Sequence, residues 1–212
     1  MNITRFSEGS HLDLGCGARP RNPLGCKELV GCDLMELAPT EKVVGDFRFV
    51  EANLFLGKLP FADNSFDSAS AFDFIEHLPR AAQNSKGEFY SPFIDLMSEI
   101  FRVLKPGGLF IASTPAFPRA EVFVDPTHVN FITNKTHEYF CGDAPFGERY
   151  GFSGRFKELR VCFEPQKNLY DFSESKLRKK YRFVEYVLFK GGLPHLTWIL
   201  EANKSSLKHF PC

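Results

Sequence analysis

The sequence predicts an α/β fold: a seven-stranded, mostly parallel sheet with helices on both faces, a last strand running antiparallel, and an irregular lid after the fifth strand. Short apolar runs alternate with polar and helical stretches along the chain, the pattern of a parallel sheet covered by helices. The first run ends in glycines, as strands do where a ligand approaches the backbone. One strongly amphipathic segment stops abruptly at Pro106-Gly107-Gly108.

Residues 11–14 form the first apolar strand, and residues 29–32 the second, with an acid, Asp33, at its end. Residues 50–54 make a third, and residues 66–72 a fourth after the turn Ala62-Asp63-Asn64-Ser65. Phe93, Leu96, Met97, Ile100, Phe101 and Leu104 recur at spacings of three and four, which predicts a helix over 93–104. Residues 109–113 are a buried fifth strand, and residues 156–163 and 197–202 complete the set. A helix with a long polar face is expected over 170–181, and a short one over 134–140 capped by Thr133. The chain is expected to be one domain, residues 1–212, in which 115–154, rich in Pro, Gly and aromatic residues, forms a lid over the ligand edge.

The 212 residues, 43% hydrophobic, suffice for a full core. Lys and Arg balance Asp and Glu, so no excess of positive charge points to extended nucleic acid as a partner. No apolar run is long enough to span a membrane and none near residue 1 resembles a signal peptide. Six cysteines fit neither a zinc ribbon nor a disulfide framework; free thiols and a cytoplasmic location are expected.

Three features meet at the carboxyl ends of the predicted strands. In Asp13-Leu14-Gly15-Cys16-Gly17, the glycines admit a ligand close to the backbone and Asp13 offers an acceptor. Pro20 replaces the third glycine of the dinucleotide pattern, which counts against a nicotinamide cofactor. Asp33 is placed to take both hydroxyls of an adenosine ribose. Asn53, followed by Leu54, is placed for the adenine edge, with Asp46 as the competing candidate; Asn53 is preferred because it lies closer to the Leu59-Pro60-Phe61 segment.

Taken in order, LDLGCG, the acid of GCDL, LPFADNSFD, FDFIEHLPR and LKPGG resemble class I, Rossmann-like S-adenosylmethionine (SAM)-dependent methyltransferases. With DPTHVNFIT, YGFSGRF and HLTWILEA, the resemblance extends to a bacterial group linked to polysaccharide or small-metabolite pathways. It implies SAM as cofactor and S-adenosylhomocysteine as product. By this resemblance Asp13, Gly15, Cys16 and Gly17 hold the methionine part. Asp33 holds the ribose, Leu34 packs on the adenine, and Asn53 and Leu54 line its edge. Phe72 and Asp73 lie under the methionine with His77 beside them. One departure stands out: Pro20, Pro23 and Gly25 leave the usual helix after the glycine loop short or absent, with Arg19 or Arg21 as substitute anchors for the cofactor carboxylate.

Methyl transfer from a sulfonium needs alignment, exclusion of water and, for a hydroxyl acceptor, loss of a proton. His77 and His128, the latter in Asp125-Pro126-Thr127-His128-Val129-Asn130, are the candidate bases, with Asp125 as partner. Asp125 and His128 alone are too few ligands, so no metal site is expected. Phe117, Phe123, Phe131, Tyr139 and Phe140 are candidates to shape a pocket for a small-molecule or sugar acceptor. Oxygen is favoured over nitrogen as acceptor by family analogy. The rival readings are an NAD(P)-binding oxidoreductase and a non-catalytic SAM-binding regulator.

Overall fold

A computed structural model describes residues 3–34, 47–190 and 192–205. Seven strands form one sheet: β1 (Ser10–Leu14), β2 (Glu28–Asp33), β3 (Arg48–Glu51), β4 (Phe66–Phe72), β5 (Leu104–Pro115), β6 (Phe156–Phe163) and β7 (His195–Ala202). Their order is β3-β2-β1-β4-β5-β7-β6. The pairs from β3 to β5 are parallel, whereas β7 runs antiparallel to both neighbours. The expected architecture and its reversed last strand are thus observed. The strand order reverses at β1 and β4, so the switch point falls where the glycine loop leaves β1.

The helix α1 (Pro92–Val103) buries Phe93, Leu96, Met97, Ile100 and Phe101 against the sheet, the face its periodicity predicts. Proline at its first turn pre-sets φ without losing a needed N–H. Arg102 then ties the preceding loop down: it donates to Phe61 O at 2.8 Å and Leu59 O at 3.1 Å and pairs with Asp63 and Glu99. This places the LPFADN segment at the amino end of β4, the edge opposite the ligand, so proximity to that segment gives no reason to prefer Asn53. LKPGG is likewise structural. It is a bulge at the start of β5, where Gly107 adopts φ 73° and Lys105 pairs with Asp67 at 2.7 Å.

The other face of the sheet is covered differently. A second cluster of Phe6, Leu24, Cys26, Phe72, Leu109, Ile111 and Leu169 joins an N-terminal 3-10 turn (Ile3–Phe6), the loop after β1 and the turn Gln166–Leu169. The helix expected over 170–181 forms later, as α2 (Lys176–Phe189). Asp171 accepts from Ser173 N at 2.7 Å and Ser173 Oγ at 2.6 Å, a turn that halts the chain until Ser175 caps the helix. The polar residues Lys179 and Arg182 face inward, Arg182 bonding Asn168 and Glu174, while Leu177 and Leu188 are 79% and 67% exposed. The short helix expected over 134–140 is a 3-10 turn, Thr136–Phe140; Thr133 accepts from Lys135 N and does not cap it. The predicted third strand ends earlier, at Glu51, because Asn53 caps a 3-10 turn at Leu54–Leu56. Among the described residues no helix is long and apolar enough to cross a membrane.

Candidate active site

The chain leaves β1 through Gly15, whose φ of 64° favours glycine. A Cβ there would stand 2.3 Å from the Phe74 ring, so the loop lies directly against the residues that follow β4. Gly17 also has positive φ, 55°, but its missing Cβ faces open space, which leaves its backbone approachable. The Asp33 carboxylate braces this turn: Oδ2 accepts from Gly17 N at 2.8 Å and Oδ1 from Leu34 N at 2.6 Å. No helix follows the loop, as the prolines predict. Pro20 and Cys16 instead pack on Gly31 of β2, where a Cβ would come within 2.5 Å of Pro20 and 2.8 Å of the Cys16 sulfur. Burial pushes the Cys16 thiol up to about 12, so it is an inert packing group. The five described cysteines are all free thiols.

Behind the loop runs a buried polar chain that the sequence analysis did not single out. His11 Nδ1 lies 2.7 Å from Ser68 Oγ and His11 Nε2 lies 2.8 Å from Ser70 Oγ. Ser70 Oγ in turn donates to Asp13 Oδ1 at 2.5 Å, and Asp13 Oδ2 accepts from Arg21 N at 2.7 Å. Since the Ser70 proton goes to Asp13, Ser70 accepts from His11 Nε2–H, which fixes the imidazole tautomer. Burial holds His11 neutral, lowering it to about 3, and raises Asp13 to about 6 despite its hydrogen bonds from Ser70 and Arg21. The available signal was periodicity: His11 and Asp13 two apart on β1 register against Ser68 and Ser70 on β4. Asp13 is fully buried with both oxygens engaged, so it shapes the loop rather than offering a free acceptor.

At the carboxyl end of β3, Asn53 is exposed with its Oδ1 on Phe55 N at 3.0 Å, while the Leu54 side chain is buried in the core. Leu34 is half exposed after β2, and Phe55 stacks near Phe74 at 6.4 Å. Asp46 lies outside the described residues. Phe72 points to the second core cluster, covered by Tyr170 and by the Arg21 guanidinium 5.0 Å from its ring. Arg21 is therefore engaged between two rings, and Arg19 is exposed. Asp73 adopts φ 51°, unusual for a non-glycine residue, and turns the chain out of β4. It accepts from Gln166 Nε2 at 2.5 Å and meets His195 Nε2 at 3.0 Å. Burial works to raise Asp73, but these bonds outweigh it and hold the carboxyl below its ordinary value.

Past Asp73, the chain forms a 3-10 turn (Ile75–His77). The 115–154 segment docks on it: Val129 N and Asn130 N donate to Glu76 O at 3.0 and 2.8 Å, and Asn130 Nδ2 donates to Ile75 O at 3.1 Å. This brings His128 to His77, ring centroids 4.8 Å apart and edge-on. His77 Nδ1 lies 2.9 Å from Thr127 Oγ1, which donates to Asp125 Oδ1 at 2.7 Å. Hydrogen bonds from Thr127 hold Asp125 below the ordinary carboxylate range. His128 Nδ1 lies 2.9 Å from Val122 O. Between them Glu76 is 1% exposed, and neither carboxyl oxygen has a hydrogen-bond partner. Its own backbone and then the nearby Thr114 hydroxyl, which is turned to Pro115 O at 3.2 Å, draw it down less strongly than burial draws it up. Burial therefore raises Glu76 to about 7. Nothing in the sequence pattern singles out Glu76.

Asn130, docked on this turn, also lines a pocket of about 410 Å³ with Arg80, Phe93, Phe131, Tyr139 and Phe140. Phe131, Tyr139 and Phe140 were expected there; Phe123 is exposed but packs on Phe131, ring centroids 5.3 Å apart, and Phe117 is exposed. A larger hollow, about 770 Å³, lies among Ser10, Glu28, Arg48 and Phe66, at the amino ends of the strands. It is far from the glycine loop along the strands and carries none of this chemistry.

A family model of the methyltransferase domain matches residues 12–112. Squalene methyltransferase 1 of Botryococcus braunii is 35% identical over 111 residues, covering 47% of this chain and 26% of that protein. The 24-methylenesterol C-methyltransferase 2 of Oryza sativa subsp. japonica is 36% identical over 94 residues, 43% of this chain and 21% of that protein. The chain thus spans well under half the length of these curated relatives. The crystal structure of a SAM-dependent methyltransferase from Archaeoglobus fulgidus superposes with a TM-score of 0.55 at 17% identity, covering 93% of this chain and 89% of that one. Residues 12–112, the strands that carry the glycine loop, Asp33 and Asp73, match the methyltransferase domain family, and the sheet has the fold of a methyltransferase of known structure.

Proposed function

We propose that the chain is a SAM-dependent methyltransferase acting on an oxygen of a small-molecule or sugar acceptor. The observation that carries this reading is the contact of Gly15 with Phe74, which sets the glycine loop and the Glu76–His77–His128 cluster on one edge of the sheet. In this reading Gly15 and Gly17 admit the methionine part, with Cys16 packed between them. Asp33 takes the ribose, and Leu34, Asn53 and the Leu54 backbone border the adenine. Asp73 and His77 face the methionine and Phe72 backs them from the core. The acceptor hydroxyl oxygen attacks the methyl carbon, the carbon–sulfur bond breaks, and its electron pair stays on sulfur as the thioether of S-adenosylhomocysteine. The hydroxyl proton passes to Nε2 of His128 or His77, with Asp125 and Thr127 orienting His77.

Two features support oxygen as the acceptor atom and a compact molecule as the acceptor. The paired imidazoles can take the proton that a hydroxyl acceptor must lose. The pocket of about 410 Å³, with aromatic faces and Arg80, suits a ring bearing hydroxyls. Calorimetry with SAM, S-adenosylhomocysteine and NAD tests the cofactor, and an acceptor screen including nucleotide sugars, read by homocysteine release, tests the reaction. SAM is expected to bind and NAD not; the reverse result sinks the reading. His128→Ala should keep SAM affinity within about twofold and lower turnover by roughly 100-fold or more, the usual worth of a general base.

A further inference from the structure

We propose that Glu76, His77 and His128 form a divalent transition-metal site on the acceptor side. One ligand atom from each lies within 4.8 Å of the others. Sequence spacing alone offered only Asp125 with His128; the docked segment keeps Asp125 Oδ2 3.9 Å from His128 Nε2 and adds Glu76 and His77.

The hydrogen bonds leave the right atoms free. Asp125 is an ionised acceptor, so the Thr127 hydroxyl donates to it and must accept from His77 Nδ1–H. The Val122 carbonyl can only accept, so His128 Nδ1 also carries its proton. Both imidazoles therefore present an Nε2 lone pair. An imidazole whose other N–H is held by a carbonyl or by a carboxylate-linked hydroxyl is the usual support of a metal ligand. Glu76 supplies the negative charge: it is 1% exposed, and neither oxygen is satisfied by any described group. A buried acid with unpartnered oxygens, grouped with two oriented imidazoles, offers a third ligand to a cation. The buried Glu76 and the docked backbone around it hold two ligands in place. Ligands about 2.1 Å from a tetrahedral metal are roughly 3.4 Å apart, so no pair need close by more than about 1.4 Å.

Two nitrogens and one carboxylate select zinc, iron, cobalt, nickel or manganese over magnesium or calcium, which prefer oxygen ligands. Three protein ligands leave a position open for an acceptor oxygen, and a metal there would lower that oxygen's pKa in place of a histidine base. That last consequence rests on the methyltransferase reading; metal binding itself does not.

The test uses the full chain, stripped with a chelator and titrated with Co²⁺ by visible absorbance, with Zn²⁺ as competitor and SAM affinity measured in parallel by calorimetry. One equivalent of Co²⁺ per chain is expected, displaced by Zn²⁺. His128→Ala and Glu76→Gln should each weaken it by roughly 100-fold or more, and Thr127→Val by about 10-fold through His77. Thr127 is exposed, so its variant folds and decides the matter if Glu76→Gln does not. A chain that binds SAM but takes up no Co²⁺ or Zn²⁺ overturns the metal site and leaves the methyltransferase reading standing. Metal uptake lost in these variants, without SAM binding, does the opposite. Equal uptake by wild type, His128→Ala and Thr127→Val also overturns the site.

Discussion

Ser70→Ala tests whether the buried polar chain behind the glycine loop governs both stability and cofactor binding. The change removes one oxygen and leaves no large cavity. It strips a donor from Asp13 Oδ1 and an acceptor from His11 Nε2–H, both fully buried. Each orphaned group costs about 1–3 kcal/mol, the ionised one more, so a loss of roughly 2–5 kcal/mol is expected. For a domain of this size that lowers the melting temperature by about 5–15 °C. The loss should depend on pH. Asp13 titrates near 6 in the folded chain, against 3.8 without burial, and the Ser70 bond acts to lower it. Without Ser70 the folded carboxyl titrates higher still. A raised folded pKa destabilises most above that pKa and not at all below the unfolded value. The deficit should therefore be full at pH 8 and shrink towards pH 5. His11 stays neutral in the folded chain down to about 3, so its acid destabilisation is common to both proteins and cancels. Urea denaturation at the two pH values, with SAM titration at pH 8, measures the effect. An unchanged denaturation midpoint, or a deficit that grows in acid, refutes the assigned chain of hydrogen bonds.

Asp33→Ala should weaken SAM by about 1–3 kcal/mol, roughly 5- to 150-fold, by losing charge-assisted bonds to the ligand and to Gly17 N; calorimetry showing wild-type affinity would remove Asp33 from the site. Gly15→Ala should abolish most SAM binding, because its Cβ meets the Phe74 ring at 2.3 Å. Adding Phe74→Ala should restore only part of the affinity, since φ 64° still costs an L-residue about 1 kcal/mol; full rescue would show that the clash alone matters. Arg19→Ala should weaken SAM more than Arg21→Gln does, because Arg21 is held between Phe72 and Tyr170 while Arg19 is exposed; the opposite ranking by calorimetry would assign the cofactor carboxylate to Arg21.

The sheet was legible because each strand announces itself locally. Residues 156–163 were bounded correctly as β6, and α1 missed its predicted limits by a single residue at each end. What failed was governed by short polar turns that compete with periodic signals. Asp171 and Ser173 delay α2, and Asn53 ends β3. Neither is visible to apolar periodicity. The inverted orientation of α2 was also hidden: Arg182 is drawn inward by Glu174 and Asn168, partners that only the tertiary fold supplies.

The site divides along the same line. Gly15, Gly17, Asp33 and Asp73 follow one another along strand ends, so their meeting follows from topology alone. Asp13 was singled out for its carboxylate, yet its neighbours across the sheet decide its role. Two apart from His11 and registered with Ser70, it is an internal brace for Arg21 N and the loop. Pro20 completes the logic. A helix after the loop would have needed amide donors at its start; the turn packed on Gly31 replaces that helix, and Asp13 and Asp33 hold the turn by its backbone at residues 21 and 17. The acceptor side required more. His77 and His128 stand fifty-one positions apart, and the backbone bonds from Val129 and Asn130 to Glu76 O, with those of Asn130 to Ile75 O and Thr127 to His77, bring them together. Those same bonds bury Glu76, so the group that completes the cluster is the one that the docked segment conceals.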